Sequence, residues 1–213
     1  MKFESLASSS HGNAYIVSDR DTRILLECGI SYKQLQKLSG FSLSEFKACI
    51  VSHEHKDHAK SVEDLIGRGM EVYMSYGTAQ ALEVDSASLI ESMEQFNVGS
   101  FDIVPFATFH DASEPLGFLI KSRADGEVLA FATDTVNLRY KFPGLTILAI
   151  EANYDKTCWI VARSFPTRCG TVSPTPTWRS IPCVIICARL IYRSAARSIF
   201  YICPMQPAER PNL

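Results

Sequence analysis

The stretch Phe46-Lys47-Ala48-Cys49-Ile50-Val51-Ser52-His53-Glu54-His55-Lys56-Asp57-His58 decides how this chain is read. Its first half is a short, mostly apolar run ending on Ile-Val, the pattern of a buried strand. Its second half gathers three imidazoles and the Asp57 carboxylate within six residues, just where that strand gives way to a loop. Nitrogen and oxygen donors of this kind suit borderline divalent metals. His53 and His55, two residues apart in a loop, can turn to one cation while the adjacent pair Asp57-His58 turns to a second. A solvated polar loop is the competing reading, and it requires no such spacing.

Working outward, residues 14–17 and 23–28 read as two strands joined by the polar turn Ser18-Asp19-Arg20-Asp21, a hairpin pattern. Residues 32–38 form a short amphipathic helix closed by Ser39-Gly40. After the histidine-rich loop come a helix over 62–66, a strand over 71–74, and helical patterns over 77–83 and 88–94. Strands over 101–109, 116–121, 128–132 and 145–150 follow. The order predicts an α/β fold, a sandwich of sheet layers with helices outside.

At 213 residues, 46% hydrophobic and 21% charged, the chain has the size and balance of one globular domain. Its longest apolar run, 181–188, is far short of the ~20 residues a membrane helix needs, so no membrane segment is expected. Met1-Lys2-Phe3-Glu4-Ser5 offers no apolar leader. Seven cysteines without a framework spacing predict a reduced, cytoplasmic protein.

The averages conceal a break. Residues 1–156 hold 14 Lys+Arg against 22 Asp+Glu, net −8, and all five histidines. Residues 157–213 hold seven Arg, no Lys and one acid, net +6, together with five of the seven Cys and seven of the ten Pro. A basic nucleic-acid arm is one reading of this tail, although such arms usually carry lysine and glycine rather than Ile-Ile-Cys clusters. Out-of-frame translation from about codon 156 is the other, and the composition favours it. The shifted frame permits a helically spaced segment with an acidic first turn after Pro176. Domain organisation is therefore expected as 1–156, a folded domain, and 157–213, an atypical basic, Cys/Pro/Arg-rich tail.

His53-x-His55-x-Asp57-His58 resembles the signature of the metallo-β-lactamase superfamily, an αββα sandwich with a two-metal site between its sheets. Ser8-Ser9-Ser10-His11-Gly12-Asn13 is similar to the Ser/Gly-rich turn that opens the YycJ/WalJ-like, exonuclease-type branch of that superfamily. Phe109-His110-Asp111-Ala112-x-Glu114-Pro115-x-Gly117 resembles the same branch's His-Asp-Ala-x-Glu-Pro motif. Ala132-Thr133-Asp134-Thr135 resembles the segment with the metal-bridging Asp, and Ile150-Glu151-Ala152-Asn153 a further branch step. The resemblance covers about residues 1–156.

What the resemblance implies is specific. His53, His55 and His110 hold one metal; Asp57, His58 and Asp134 hold the other, with Asp134 bridging. Zinc is the first expectation for both cations and manganese the second. Asp57 is expected to orient the nucleophile or pass a proton. Gly12 serves a tight turn, Asn13 satisfies backbone groups there, and His11 has no assigned role. The family also needs a final histidine on the second metal, yet this chain has none after His110. The shifted frame permits histidines near Thr177 and Ile202, so the fold is expected to be incomplete at the C-terminus and the chain of low stability. The implied activity is phosphodiester hydrolysis of nucleic acid by an exonuclease-like enzyme. Two alternatives stand beside it: a small-ester or thioester hydrolase on the same fold, and an inactive metal-binding product.

Overall fold

The computed structural model describes residues 1–135, 138, 140–142, 144–151 and 198–202. Strands β1 (Lys2–Ala7), β2 (Ala14–Ser18) and β3 (Arg23–Leu26) run antiparallel in sequence, with Tyr15 opposite Leu26 and Ser18 opposite Arg23. The β2–β3 turn forms because Asp19 Oδ1 accepts the amides of Asp21 and Thr22 at 2.9 and 2.8 Å, an Asx turn. β4 (Ala48–Ile50), β5 (Glu71–Met74) and β6 (Ser88–Leu89) then add in parallel, giving a six-stranded sheet ordered β1-β2-β3-β4-β5-β6. A parallel pair needs a crossover, and helices supply each one. These are α1 (Tyr32–Leu38), α2 (Lys56–Ala59) with α3 (Val62–Ile66), and α4 (Tyr76–Ala81). α1 starts at Ser31 with a capping box, the Ser31 hydroxyl on the Gln34 amide and the Gln34 side chain on the Ser31 amide.

The second sheet contains β7 (Phe96–Val98), β8 (Phe101–Ala107), β9 (Leu116–Ser122), β10 (Val128–Ala132), β11 (Ile147–Glu151) and β12 (Ser198–Ile202). Its order is β12-β11-β10-β9-β8-β7, antiparallel from β7 to β10 and parallel from β10 to β12. β12 is the one described part of the basic tail; the remainder of 157–213 and the expected incompleteness lie outside the described residues.

Alternating side chains of the two sheets meet in a shared core. Phe3, Tyr15, Val17, Ile24, Leu26 and Ile50 on one side face Ile103, Phe118, Ile120, Leu129 and Phe131 on the other. Each such wholly buried side chain contributes about 1.5–3 kcal/mol. The other face of the first sheet (Ile16, Leu25, Cys49, Val72, Met74) packs under the helices through Leu35, Val62, Leu65 and Ala79. The strands β3 and β4 are thus covered on both faces, which is why they read as continuous apolar runs.

One expected helix is absent. Residues 88–94 form the short edge strand β6 followed by turns, with Ser88 and Leu89 paired to Tyr73 and Met74 and the Met93 amide donating to Pro105 O. Seven residues gain few helical hydrogen bonds, and the parallel ladder to β5 offers better partners. β1 and β7, which the sequence reading left out, are edge-side strands with one face toward solvent and a weaker pattern.

Candidate metal centre

Five segments end at one edge of the sandwich. β2 begins there, β3, β4, β8 and β10 end there, and so Asn13, Glu27, the 52–58 loop, His110 and Asp134 converge although they are far apart in sequence. The carboxyl ends of parallel strands are where open α/β sheets leave room for ligands. Gly29 sits against this loop so closely that a Cβ there would lie 1.6 Å from Asp57 O. The main chain is clamped from both sides, the Asn13 amide donating to Asp57 O at 2.7 Å and the Cys28 amide to His58 O at 2.8 Å.

The loop presents its side chains in two overlapping groups. The ligand atoms of His53, His55 and His110 all lie within 4.8 Å of one another, as do those of His53, His58 and Asp134. His110 Nε2 is 3.1 Å from His55 Nδ1, and His58 Nε2 is 2.7 Å from Asp134 Oδ2. Asp57 stands at the margin, its Oδ2 3.4 Å from His58 Nε2. All six residues expected at the site are therefore brought to one place, with His53 shared between the groups.

The outward ring nitrogens are fixed by neighbours. Ser52 Oγ is 2.8 Å from His53 Nδ1, and Asp111 Oδ1 is 3.0 Å from His110 Nδ1. Beneath the loop lies Glu27, wholly buried, which accepts the Ser52 amide at 3.2 Å and the Thr133 hydroxyl at 3.4 Å and stands 3.5 Å from His58 Nδ1. Sequence reasoning took Glu27 for a strand residue; an acid ending an apolar strand was the available signal. Glu54 was also passed over. It braces the loop by accepting the Ser113 amide and hydroxyl at 2.7 and 2.9 Å. The Phe109–Gly117 motif is explained likewise: Glu114 accepts the Gly77 amide at 2.8 Å and ties α4 to the His110 segment.

Electrostatics match the geometry. Burial pushes the His53 imidazole down to about 2, with the facing His58, His110 and His55 rings adding to the effect against Asp134. Burial likewise lowers His110. At His58 burial opposes the charged form, but Glu27, then Asp134 and Asp57, outweigh it and hold that ring well above its ordinary value. Asp57 is held low: burial favours its acid form, and the His58 ring outweighs it.

These residues fit a divalent cation. His53 Nε2 is buried without a hydrogen-bond partner, 3.6 Å from Asp134 Oδ2. A buried, neutral imidazole nitrogen without a partner is a lone pair at a cost, and a cation removes that cost. The Ser52 and Asp111 contacts have the form of outer partners that set ring orientation in metal sites.

The chain matches the model of the beta-lactamase superfamily domain over residues 22–177. It belongs to the metallo-β-lactamase superfamily, whose fold implies divalent-metal binding. Similar proteins include the exodeoxyribonuclease WalJ of Streptococcus pneumoniae, 29% identical over 171 residues, 72% of this chain and 63% of that protein. The exodeoxyribonuclease YycJ of Bacillus anthracis is 27% identical over 170 residues, 73% of this chain and 64% of that protein. The chain spans just under two thirds of the length of these relatives. Among solved structures, the metallo-beta-lactamase fold protein YhfI of Bacillus subtilis superposes with a TM-score of 0.55 at 17% identity, covering 71% of each chain. The Rm3 metallo-beta-lactamase gives 0.52 at 20% identity, covering 68% of this chain and 66% of that one. At such identities the likeness is one of fold. Among the described residues no helix is long and apolar enough to cross a membrane.

Proposed function

We propose that the chain is a divalent-metal-dependent phosphodiesterase acting on nucleic acid, in line with its exodeoxyribonuclease-named relatives. The observation that carries this reading is the pair of ligand groups sharing His53. In the proposed assignment His53, His55 and His110 would hold one cation, and His58, Asp134 and Asp57 the other. Zinc is the first choice and manganese the second. Such ions supply a nucleophilic water at neutral pH and neutralise charge on the phosphoryl oxygens.

The chain's own residues do the rest. Ser52 and Asp111 hold the His53 and His110 rings so that the opposite nitrogens face inward. Asp57, ionised at neutral pH and part-exposed at the rim, takes the nucleophile's proton and orients it. The net charge of −8 over residues 1–156 weakens affinity for a phosphate backbone, which the cations offset in part. Cys28 and Cys49 are free, buried thiols, in keeping with a reducing cytoplasm.

The test is hydrolysis of bis(p-nitrophenyl) phosphate and of single-stranded DNA by the Mn²⁺- or Zn²⁺-loaded protein, with a thioester as comparison. Turnover of the diesters that chelator abolishes is expected; turnover of the thioester alone would move the reading to a small-ester hydrolase. A second reading rests on the missing late histidine: one bound metal per chain and no turnover identify an inactive metal-binding product. The division at residue 156 is tested by sequencing the coding DNA over codons 150 to 210. A single added base that restores two histidines is the expected result.

A further inference from the structure

Among the polar groups at the centre that the ligand assignment leaves unused is the side-chain amide of Asn13. It opens β2 at 6% exposure, and its main chain is already satisfied by Asp57 O at 2.7 Å and the Gly29 amide at 2.8 Å. The turn therefore does not need its side chain, contrary to the expectation that Asn13 serves backbone groups. That side chain instead reaches three others. Asn13 Oδ1 accepts the Tyr15 hydroxyl at 3.0 Å, while Nδ2 lies 3.4 Å from Asp57 Oδ2 and 3.2 Å from His58 Nε2. The amide's orientation follows from its neighbours: a carboxylate only accepts, so Nδ2 must face Asp57 and Oδ1 must face Tyr15.

Tyr15 cannot drift. It is wholly buried, stacked on Phe3 at 5.5 Å and edge-on to Phe131 at 5.4 Å, so its hydroxyl is a fixed point supplied by the inter-sheet core. Asp57, by contrast, has a side chain 32% exposed in the first turn of a four-residue helix. Something must restrict that carboxylate if it is to serve the same reaction on every turnover.

We propose that Asn13, aimed by the Tyr15 hydroxyl, is a positioning residue that fixes the Asp57 carboxylate in the orientation that receives a divalent cation. The relay Tyr15–Asn13–Asp57 carries the rigidity of the hydrophobic core to the exposed side of the centre. It deepens the metal-dependent hydrolase reading and rests on it.

The experiment is a calorimetric Mn²⁺ titration of the chelator-stripped full chain as wild type, Asn13→Ala, Tyr15→Phe and the double variant, with kcat on bis(p-nitrophenyl) phosphate measured alongside. Asn13→Ala is expected to weaken Mn²⁺ binding by about tenfold or more, the scale of lost outer partners in metal sites. Tyr15→Phe, which keeps the ring and the core, gives a smaller loss. The double variant binds no more weakly than Asn13→Ala alone, because the hydroxyl acts through the amide. Affinity within twofold of wild type for Asn13→Ala, or losses that simply add, overturns the proposal. Should Asn13→Ala not fold, Tyr15→Phe decides by itself, an unchanged titration again overturning it. A wild type that binds Mn²⁺ without cleaving the diester removes the phosphodiesterase reading, and the titrations still decide the role of Asn13. A wild type that binds no Mn²⁺ overturns both.

Discussion

Glu27 holds a carboxylate at 0% exposure on a backbone with φ +62°, a conformation that costs an ordinary L-residue roughly 1–2 kcal/mol. The strain is tolerated because the turn lets one side chain reach the Ser52 amide, the Thr133 hydroxyl and the underside of His58. Asp134, at φ +48°, is the other non-glycine residue at the centre in this region, and Asp adopts it more readily. Removing the buried partner of a charged ring is expensive. Glu27→Ala is expected to destabilise the metal-free protein by about 3–5 kcal/mol, measured by urea denaturation. A loss under 1 kcal/mol would show that His58 relaxes to water. At the opposite side, Asp111 sets the His110 ring through Nδ1. Asp111→Asn is expected to weaken Zn²⁺ binding by about tenfold with little change in melting temperature, and an unaltered affinity contradicts that role.

Between elements, the tolerances are set by backbone rather than by side chains. A Cβ at Gly29 would meet Asp57 C and O at 2.1 and 1.6 Å, so alanine there must push the 53–58 loop away from the β3–α1 connection. Gly29→Ala is expected to cost about 4 kcal/mol or more, or to prevent folding, as chemical denaturation would reveal. A cost below 1 kcal/mol would mean that the loop moves freely. Gly77 is a milder case, since a Cβ there meets the Glu114 side chain at 2.7 Å and Glu114 already caps α4. The comparison of residues 88–94 with 62–66 belongs to this scale. Both carry helical spacing, but only 62–66 lays apolar residues (Val62, Leu65) on a sheet face, whereas 88–94 finds the open edge of β5. Periodicity proposes an element, and the nearest unsatisfied hydrogen-bonding edge can overrule it.

Across the molecule, one carboxylate joins the contacts that tie the two sheets at the end of the sandwich where the β2–β3 turn lies. Asp19 Oδ2 accepts the Ser100 and Ser122 hydroxyls, each at 2.6 Å, and so ties the first sheet to the second. Burial favours its acid form, yet the two hydroxyls and the Asp21 and Thr22 amides outweigh it and hold the carboxyl below its ordinary value. A folded-state pKa lower than the unfolded one contributes stability above the unfolded value and loses it as pH falls through the folded value. Wild type is therefore expected to lose melting temperature more steeply than Asp19→Asn between pH 4 and the folded pKa below it; parallel curves would refute this. Metal acts on the whole molecule too. A cation that binds only the folded chain adds about 2.7 kcal/mol at a hundredfold excess over Kd, so Mn²⁺ should raise the melting temperature by several degrees and chelator should reverse it. An unshifted melt would count against the centre.

The sequence by itself determined the class of fold and pointed to the histidine cluster as the candidate centre. The apolar runs at 14–17, 23–28, 46–51, 116–121 and 128–132 become strands because β-branched and aromatic side chains at those positions have two sheets to fill. The His53–His58 cluster was legible because its donors lie within six residues, where local spacing is information enough. Only the tertiary structure brings Asn13, Glu27 and Asp111 against the histidine cluster and puts His53 in both candidate ligand groups. Their partners lie 44, 25 and one residue away in sequence, and even Asp111, beside His110, gains its meaning from which ring nitrogen it faces. Strand order brings such groups within 3.5 Å, and no pattern along the chain encodes a distance across two sheets.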